Sequence, residues 1–254
     1  MSIFDSHAHY LDSRFDDDRD ALLTSLLNGD VCGIVENGTT AATSRQALDL
    51  AHRHPKLWAA VGIHPGDAAD AVAEDLSVIE RLAADEKAVA IGEIGLDYHY
   101  EDCCPRDVQQ HWFRAQLELA NRLSLPVVVH DREAHEDTLR FLQDYRPAGV
   151  VHCFSGSVEM ARELLKLGLY IGIGGVVTFK NARKTVEVAA EIPLDRLLLE
   201  TDAPYLAPVP LRGHRCDSSM IRHTADTIAA LRGISTESLL NITAENARRL
   251  YHLP

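Results

Sequence analysis

Pro126-Val127-Val128-Val129-His130 is a short apolar run ended by an imidazole, and Gly149-Val150-Val151-His152 repeats the figure one unit later. Both runs are apolar on both faces, as strands are when a parallel sheet is covered on each side. Working outward, the same kind of short apolar or β-branched run recurs at 2–6, 31–35, 57–63, 88–94, 170–174 and 196–201. Helical spacing lies between them. Leu76, Ile79 and Leu82 step by three, Phe113, Leu117, Ala120 and Leu123 by four, three and three, and Val158, Ala161 and Leu165 continue the theme. Gly168 stands where a helix C-cap would be, and 218–251 reads as two closing helices. Eight strands alternating with helices predict an α/β fold, a closed (β/α)8 TIM barrel with its active site at the C-terminal strand ends. A doubly wound open sheet is the alternative, but it gives no reason for polar residues at nearly every strand end.

The chain has 254 residues, close to the usual size of one such barrel. No low-complexity segment or linker divides it, so 1–254 is expected to be a single domain. The proline-rich stretch 203–210 reads as a rim loop after the last strand. The start, Met1 to His7, has neither a basic nor an apolar leader segment, and no apolar stretch reaches membrane-spanning length. Five cysteines without a C-x-x-C pair (Cys32, Cys103, Cys104, Cys153, Cys216) read as free thiols in a reducing compartment. The vicinal pair Cys103-Cys104 reads as incidental, and Cys153 as packing on the strand face away from His152. A soluble, cytoplasmic protein is expected, with no membrane association and no stable protein partner inferable. A net charge of -13 argues against a surface that coats nucleic acid, which would carry a basic stripe. It does not exclude a nucleic-acid enzyme whose positive charge is confined to its site, where bound divalent ions would supply it.

Six ligand-type side chains fall at the ends of five runs: His7 and His9, Glu93, His130, His152 and Asp202. His7 and His9 are two apart, so both leave one face of the strand, with Cα atoms about 6–7 Å apart. Asp5 has the same parity and is placed to orient a ligand. Glu93 sits inside Ala90-Ile91-Gly92-Glu93-Ile94-Gly95-Leu96-Asp97, where a carboxylate is costly to bury unless paired or metal-bound. Its two oxygens would let it bridge two ions. Singly, His130 and His152 would more often be satisfied core or rim histidines; their joint occurrence on successive strands is what counts. Asp202 closes the run Leu197-Leu198-Leu199-Glu200-Thr201 and would suit a general base. In a barrel all six converge on one rim, enough for two divalent ions about 3.5–4 Å apart with open positions for water and substrate. Glu93 and Asp202 are the expected catalytic residues. Nitrogen-rich ligation suits zinc or manganese.

Several blocks then carry a family resemblance. Asp5-Ser6-His7-Ala8-His9, Gly62-Ile63-His64-Pro65, Gly92-Glu93-Ile94-Gly95-Leu96-Asp97-Tyr98, His152-Cys153-Phe154-Ser155-Gly156 and Glu200-Thr201-Asp202-Ala203-Pro204-Tyr205 resemble the TatD family of metal-dependent hydrolases, in the amidohydrolase barrel group. Glu245-Asn246-Ala247-Arg248-Arg249-Leu250 is similar to the family's C-terminal signature. The resemblance implies that His7, His9, Glu93 and Asp202 hold one ion while Glu93, His130 and His152 hold the other. It also implies magnesium as a further candidate metal, and a deoxyribonuclease, often 3′→5′ exonucleolytic on single strands. DNA, single-stranded or end-bound, is then the expected partner.

Substrate contacts are less marked. The resemblance makes His64 a rim residue facing substrate; a turn histidine before Pro65 is the plainer reading. Arg132, two after His130, has the parity to reach the pocket and clamp a phosphate; a solvated arginine at a helix start is the alternative. The family often has a serine or cysteine where Asp131 stands. Arg212 and Gly213 match the family loop after the last strand, but Cys216-Asp217-Ser218 replaces its usual Asn-Glu-Pro. Tyr98, Trp112 and Tyr205 could stack on a base, although core packing is the commoner role. His52, His54, His99, His111, His135, His223 and His252 read as surface residues. Two other readings keep the same site: a hydrolase of a small ester or amide, such as an aminoacyl-tRNA ester, and a non-catalytic metal-stabilised binding protein. An open two-ion ligand set argues against the latter, since structural sites close their coordination.

Overall fold

The computed structural model describes residues 3–99 and 104–254, so the strand start expected at Ser2 and the loop thiol Cys103 lie outside the described residues. Eight parallel strands form one sheet in sequence order: β1 (Ile3–Ala8), β2 (Val31–Asn37), β3 (Leu57–Val61), β4 (Ala88–Asp97), β5 (Val127–Arg132), β6 (Gly149–Val151), β7 (Tyr170–Ile173) and β8 (Leu197–Leu199). The sheet curls until its last strand meets its first. Asp202 N–H donates to the His7 carbonyl at 3.0 Å and His9 N–H to the Ala203 carbonyl at 2.8 Å, beside a parallel bridge between Ala8 and Ala203. The result is a (β/α)8 barrel. Helices alternate with the strands: α1 (Arg19–Asn28), α2 (Ala41–Arg53), α3 (Ala73–Leu82), α4 (Arg106–Leu123), α5 (His135–Tyr145), α6 (Val158–Lys166), α7 (Arg183–Glu191), α8 (Ile221–Arg232) and α9 (Thr236–Leu250).

Local chemistry sets these boundaries. Thr40 and Thr43 cap α2 reciprocally, and the Ser157 and Ser235 side chains accept N–H groups at the starts of α6 and α9. Gly168 follows α6 with φ +85°, the left-handed turn its C-terminus needs. No helix among the described residues is long and apolar enough to cross a membrane.

Two apolar clusters divide the packing. Ile34, Ile91, Val129 and Ile171 pack outward among helix residues such as Leu48, Phe113 and Leu164. A second cluster takes Phe4, Val35, Ala60, Val128, Val150, Tyr170 and Leu198 from the strands and Ala244, Ala247 and Leu250 from α9. Phe4, Val128 and Tyr170 stand first or second in their strands, and Asn246 of α9 donates to the Leu194 and Leu197 carbonyls where β8 begins, so α9 seals the N-terminal end of the barrel and leaves the other end for the site.

Strand ends differ from the sequence reading in ways that matter. β4 runs ten residues, through Glu93 to Asp97, because its second half pairs with β5 through Gly95, Leu96 and Asp97. Glu93 is therefore within its strand, not at its end. Gly95 has φ +139° and lies so close to the His130 carbonyl that a Cβ could not be placed there. β6 and β8 stop early, at Val151 and Leu199, so His152 and Asp202 stand on the loops just beyond.

Candidate metal centre

At the open end, the six side chains singled out from sequence meet around Glu93, which is 2% exposed. Glu93 Oε2 lies 3.4 Å from His7 Nε2 and 3.2 Å from His9 Nε2, and both rings stand 3.6 Å from Asp202 Oδ1. Glu93 Oε1 faces the other way, 2.9 Å from His130 Nδ1 and 2.8 Å from His152 Nε2. One carboxylate thus stands between two groups of imidazoles. His64 joins the second: its Nε2 is 3.5 Å from Glu93 Oε1, while its Nδ1 accepts the Gly66 N–H at 3.0 Å. The rim histidine of the sequence reading is therefore also part of the ligand-type cluster.

The donor set fits a cation. His7 Nε2 and His9 Nε2 are 3.0 Å apart, and His130 Nδ1 and His152 Nε2 are 3.3 Å apart. Each such pair can hold one proton between its nitrogens, whereas converging imidazole and carboxylate lone pairs are what divalent metals select. Three overlapping groups have their ligand atoms within 4.8 Å of one another: His7, Glu93 and His152; His7, His9 and Asp202; His64, Glu93 and His130.

Charge follows from this crowding. Burial alone would raise the Glu93 carboxyl, but His152, His7 and His64 reverse that and hold it well below the usual carboxylate range. Burial opposes protonation of His9 and His130, yet Glu93, with Asp202 for the first and Asp97 for the second, pushes them up to about 10 and about 9. His7 is held well below its usual value by burial and by the neighbouring His152. Burial pulls His64 down to about 3 despite Glu93. Asp202 is raised by burial, which suits a proton acceptor.

A supporting layer orients these groups. His9 Nδ1 lies 3.1 Å from the Asn37 carbonyl, and His130 Nε2 lies 3.0 Å from Asp97 Oδ2. Glu36, on β2, accepts the N–H groups of Tyr10 and Leu11 at 2.7 and 2.9 Å and so fixes the chain leaving His9; burial raises its carboxyl to about 7. Asp5 accepts from the Thr201 hydroxyl at 2.6 Å, the Ser218 hydroxyl at 2.7 Å and the Thr201 N–H at 3.0 Å. It ties β1 to the segment carrying Asp202 and meets His7 through the backbone N–H, at 3.3 Å, and not through the imidazole. Glu200 accepts the Cys153 N–H, and its other oxygen fills the space a Cβ at Gly172 would need. The buried Nδ1 atoms of His7 and His152 have no hydrogen-bond partner among the described residues.

Asp97, Glu36 and Glu200 were missed as orienting groups in the sequence reading. The signal was present: each is a carboxylate in or beside an apolar strand run, the same cost of burial that singled out Glu93. Other expectations fare variously. The centre opens into a cavity of about 910 Å³ whose lining includes Thr39, Arg132, His135, Ser155 and Tyr205. Arg132, the phosphate-clamp candidate, lines this cavity. Arg212 is exposed, stacked 3.7 Å over the Phe179 ring, and is not among the residues lining that cavity. Tyr98 and Trp112 are buried, whereas Tyr205 is exposed. Cys153 lines the cavity instead of packing away from it, because the chain turns at φ +44° just after β6. His54 is buried against Asp20, and His135 is half-buried against Asp131 at 2.7 Å, so neither is a free surface residue.

Fold and site together define a barrel hydrolase with a carboxylate-centred imidazole cluster. The family described as TatD related DNase matches residues 4–252. The chain is 43% identical over 254 residues to the uncharacterized metal-dependent hydrolase YabD of Bacillus subtilis, covering 99% of each. It is 39% identical over 260 residues to the 3′-5′ ssDNA/RNA exonuclease TatD of Erwinia tasmaniensis, covering 99% of this chain and all of that one. The crystal structure of YJJV, a TatD homologue from Escherichia coli, superposes with a TM-score of 0.92 at 32% identity, covering 99% of this chain and 98% of that one. The chain belongs to the TatD family of metal-dependent hydrolases.

Proposed function

We propose that the chain is a two-metal phosphodiesterase acting on the ends of single-stranded DNA, in the 3′→5′ direction. The observation that carries this reading is the position of Glu93, whose two oxygens face two separate sets of imidazoles. His7, His9, Glu93 and Asp202 would hold one ion, and Glu93, His130 and His152 the other, with His64 beside the second. Magnesium, manganese and zinc are the candidates. Such ions would supply a water acidic enough to lose its proton at neutral pH and would neutralise charge on the phosphate oxygens. Asp202, whose Oδ1 stands 3.6 Å from both His7 and His9, accepts the attacking water's proton. Arg132, on the cavity wall, takes a non-bridging phosphate oxygen. His64 lies where it can contact the same group. The single-stranded substrate is supported by the activity named for the Erwinia relatives. A cytoplasmic setting accompanies the reading, in keeping with the buried free thiols of Cys104 and Cys216.

Chelated protein reloaded with Mg²⁺, Mn²⁺ or Zn²⁺ should be assayed on end-labelled single-stranded DNA, single-stranded RNA, duplex DNA and small aminoacyl esters. Metal-dependent loss of 3′ nucleotides from single strands is expected. Ester turnover with no cleavage of any DNA would overturn the nuclease reading in favour of a small-ester hydrolase.

A further inference from the structure

The loop after β8 holds an aromatic ring in the open. Tyr205 is 46% exposed, one of only four large apolar side chains that are so exposed among the described residues. It lines the cavity three residues beyond Asp202, and its N–H donates to the Asp202 carbonyl at 2.8 Å. The ring is also fixed from outside. Its hydroxyl donates to Asp12 Oδ2 at 2.9 Å, and the Arg14 guanidinium lies 4.0 Å above the ring centroid. Arg14 is itself fastened to Asp12, from Nε at 3.0 Å and Nη2 at 3.2 Å. With the hydroxyl bonded and one face capped by Arg14, the ring still lines the cavity and stays exposed. Leu11 and Leu206 stand on the same wall, and Arg132 and His135 belong to the lining contributed by β5 and the start of α5.

Exposing such a ring forgoes the gain from burying it, and rigid aromatic faces beside a charged groove are how single-stranded nucleic acids are held. We infer that Tyr205, backed by Arg14, is the stacking platform for the base of the terminal nucleotide while its phosphate lies at the Glu93 centre; this rests on the nuclease reading above. A planar ring accepts every base, so the platform recognises an unpaired base without reading sequence. A paired end presents its terminal base already stacked and hydrogen-bonded, and would have to open first.

The test compares wild type with Tyr205→Leu and Tyr205→Trp on two single-stranded oligonucleotides, one intact and one lacking the 3′-terminal base. Wild type should prefer the intact strand. Tyr205→Leu should raise KM for it by about 5- to 150-fold, the range found on removing one base–aromatic stack, with a smaller effect on kcat, and erase the preference. Tyr205→Trp should keep the preference. If Tyr205→Leu retains the wild-type preference and KM, the platform is overturned while the nuclease reading stands. If wild type cleaves neither strand with any metal, both are overturned.

Discussion

The two ends of this barrel are made by the same eight strands and differ in almost every physical respect. The end closed by α9 is packed with Phe4, Val35, Ala60, Val128, Val150 and Leu198, all apolar and buried. The open end buries Asp5, Glu36, Glu93, Asp97 and Glu200 together with His7 and His152. Apolar burial stabilises the first directly. Burying charge at the second costs free energy unless each group finds a partner. Most do: Asp5 has Thr201 and Ser218, Glu36 has two backbone N–H groups, and Asp97 has His130. The Glu93 cluster differs, because its imidazoles outnumber the carboxylates between them. Stability and chemistry are therefore drawn from opposite ends, and substitutions at the two should separate them.

The largest effect is expected at Glu93. Glu93→Gln keeps the shape and removes the charge shared by both imidazole groups, so turnover should fall by about 10³-fold or more. Circular dichroism in chelator should show the wild-type fold. Retained turnover would mean that the shared carboxylate is not the centre of the chemistry. Leu198→Ala is the converse. Leu198 is 0% exposed in the α9-sealed cluster, and truncating it should cost about 2–5 kcal/mol in urea unfolding. At a temperature where this variant is folded, its kcat should be little changed. A loss of kcat like that of Glu93→Gln would show that the two ends are not separable.

How much of this could be read in the sequence follows from the same contrast. Strand number and order were legible, because runs apolar on both faces followed by helical spacing leave few alternatives to a barrel. The convergence of His7, His9, Glu93, His130, His152 and Asp202 was legible too, since a parallel barrel sends all its strand ends to one rim. What strict alternation could not give was the departures from it. Ile3 and Ala8 pack in the same outer layer although they are five positions apart, an odd offset, because the β1–β2 register shifts between Asp5 and Ala8. That shift lets Phe4 serve the sealed end and His7 the open one, and it sends Asp5 to Thr201 and Ser218. Cys153 reached the cavity through a single positive φ, which no side-chain pattern announces. Glu200 was hidden for another reason: its space is created by Gly172 on a neighbouring strand. Ser218, in the segment where this chain departs from the usual family pattern, closes a hydrogen bond to Asp5 that a proline could not donate.

The smallest of these effects, at Asp97, divides the open end itself. Its carboxylate accepts the His99 N–H at 3.0 Å and lies 3.0 Å from His130 Nε2, while Gln109 grips its backbone N–H and carbonyl, each at 2.8 Å. The residue is thus fixed from behind, and its Oδ2 meets His130 and fixes which ring nitrogen faces Glu93. Asp97→Asn preserves the size and the Gln109 contacts but weakens the hold on the imidazole, and metal affinity should fall by about 10–100-fold, as on removing other such orienting partners. Metal content after dialysis would measure it, and so would activity titrated with added ion. Excess metal should restore most of the turnover of Asp97→Asn and none of that lost in Glu93→Gln, while Leu198→Ala should need no more ion than wild type. If excess metal fails to rescue Asp97→Asn, Asp97 takes part in the reaction rather than in holding His130, and the catalytic group extends four positions along β4 from Glu93 to the strand's C-terminal end.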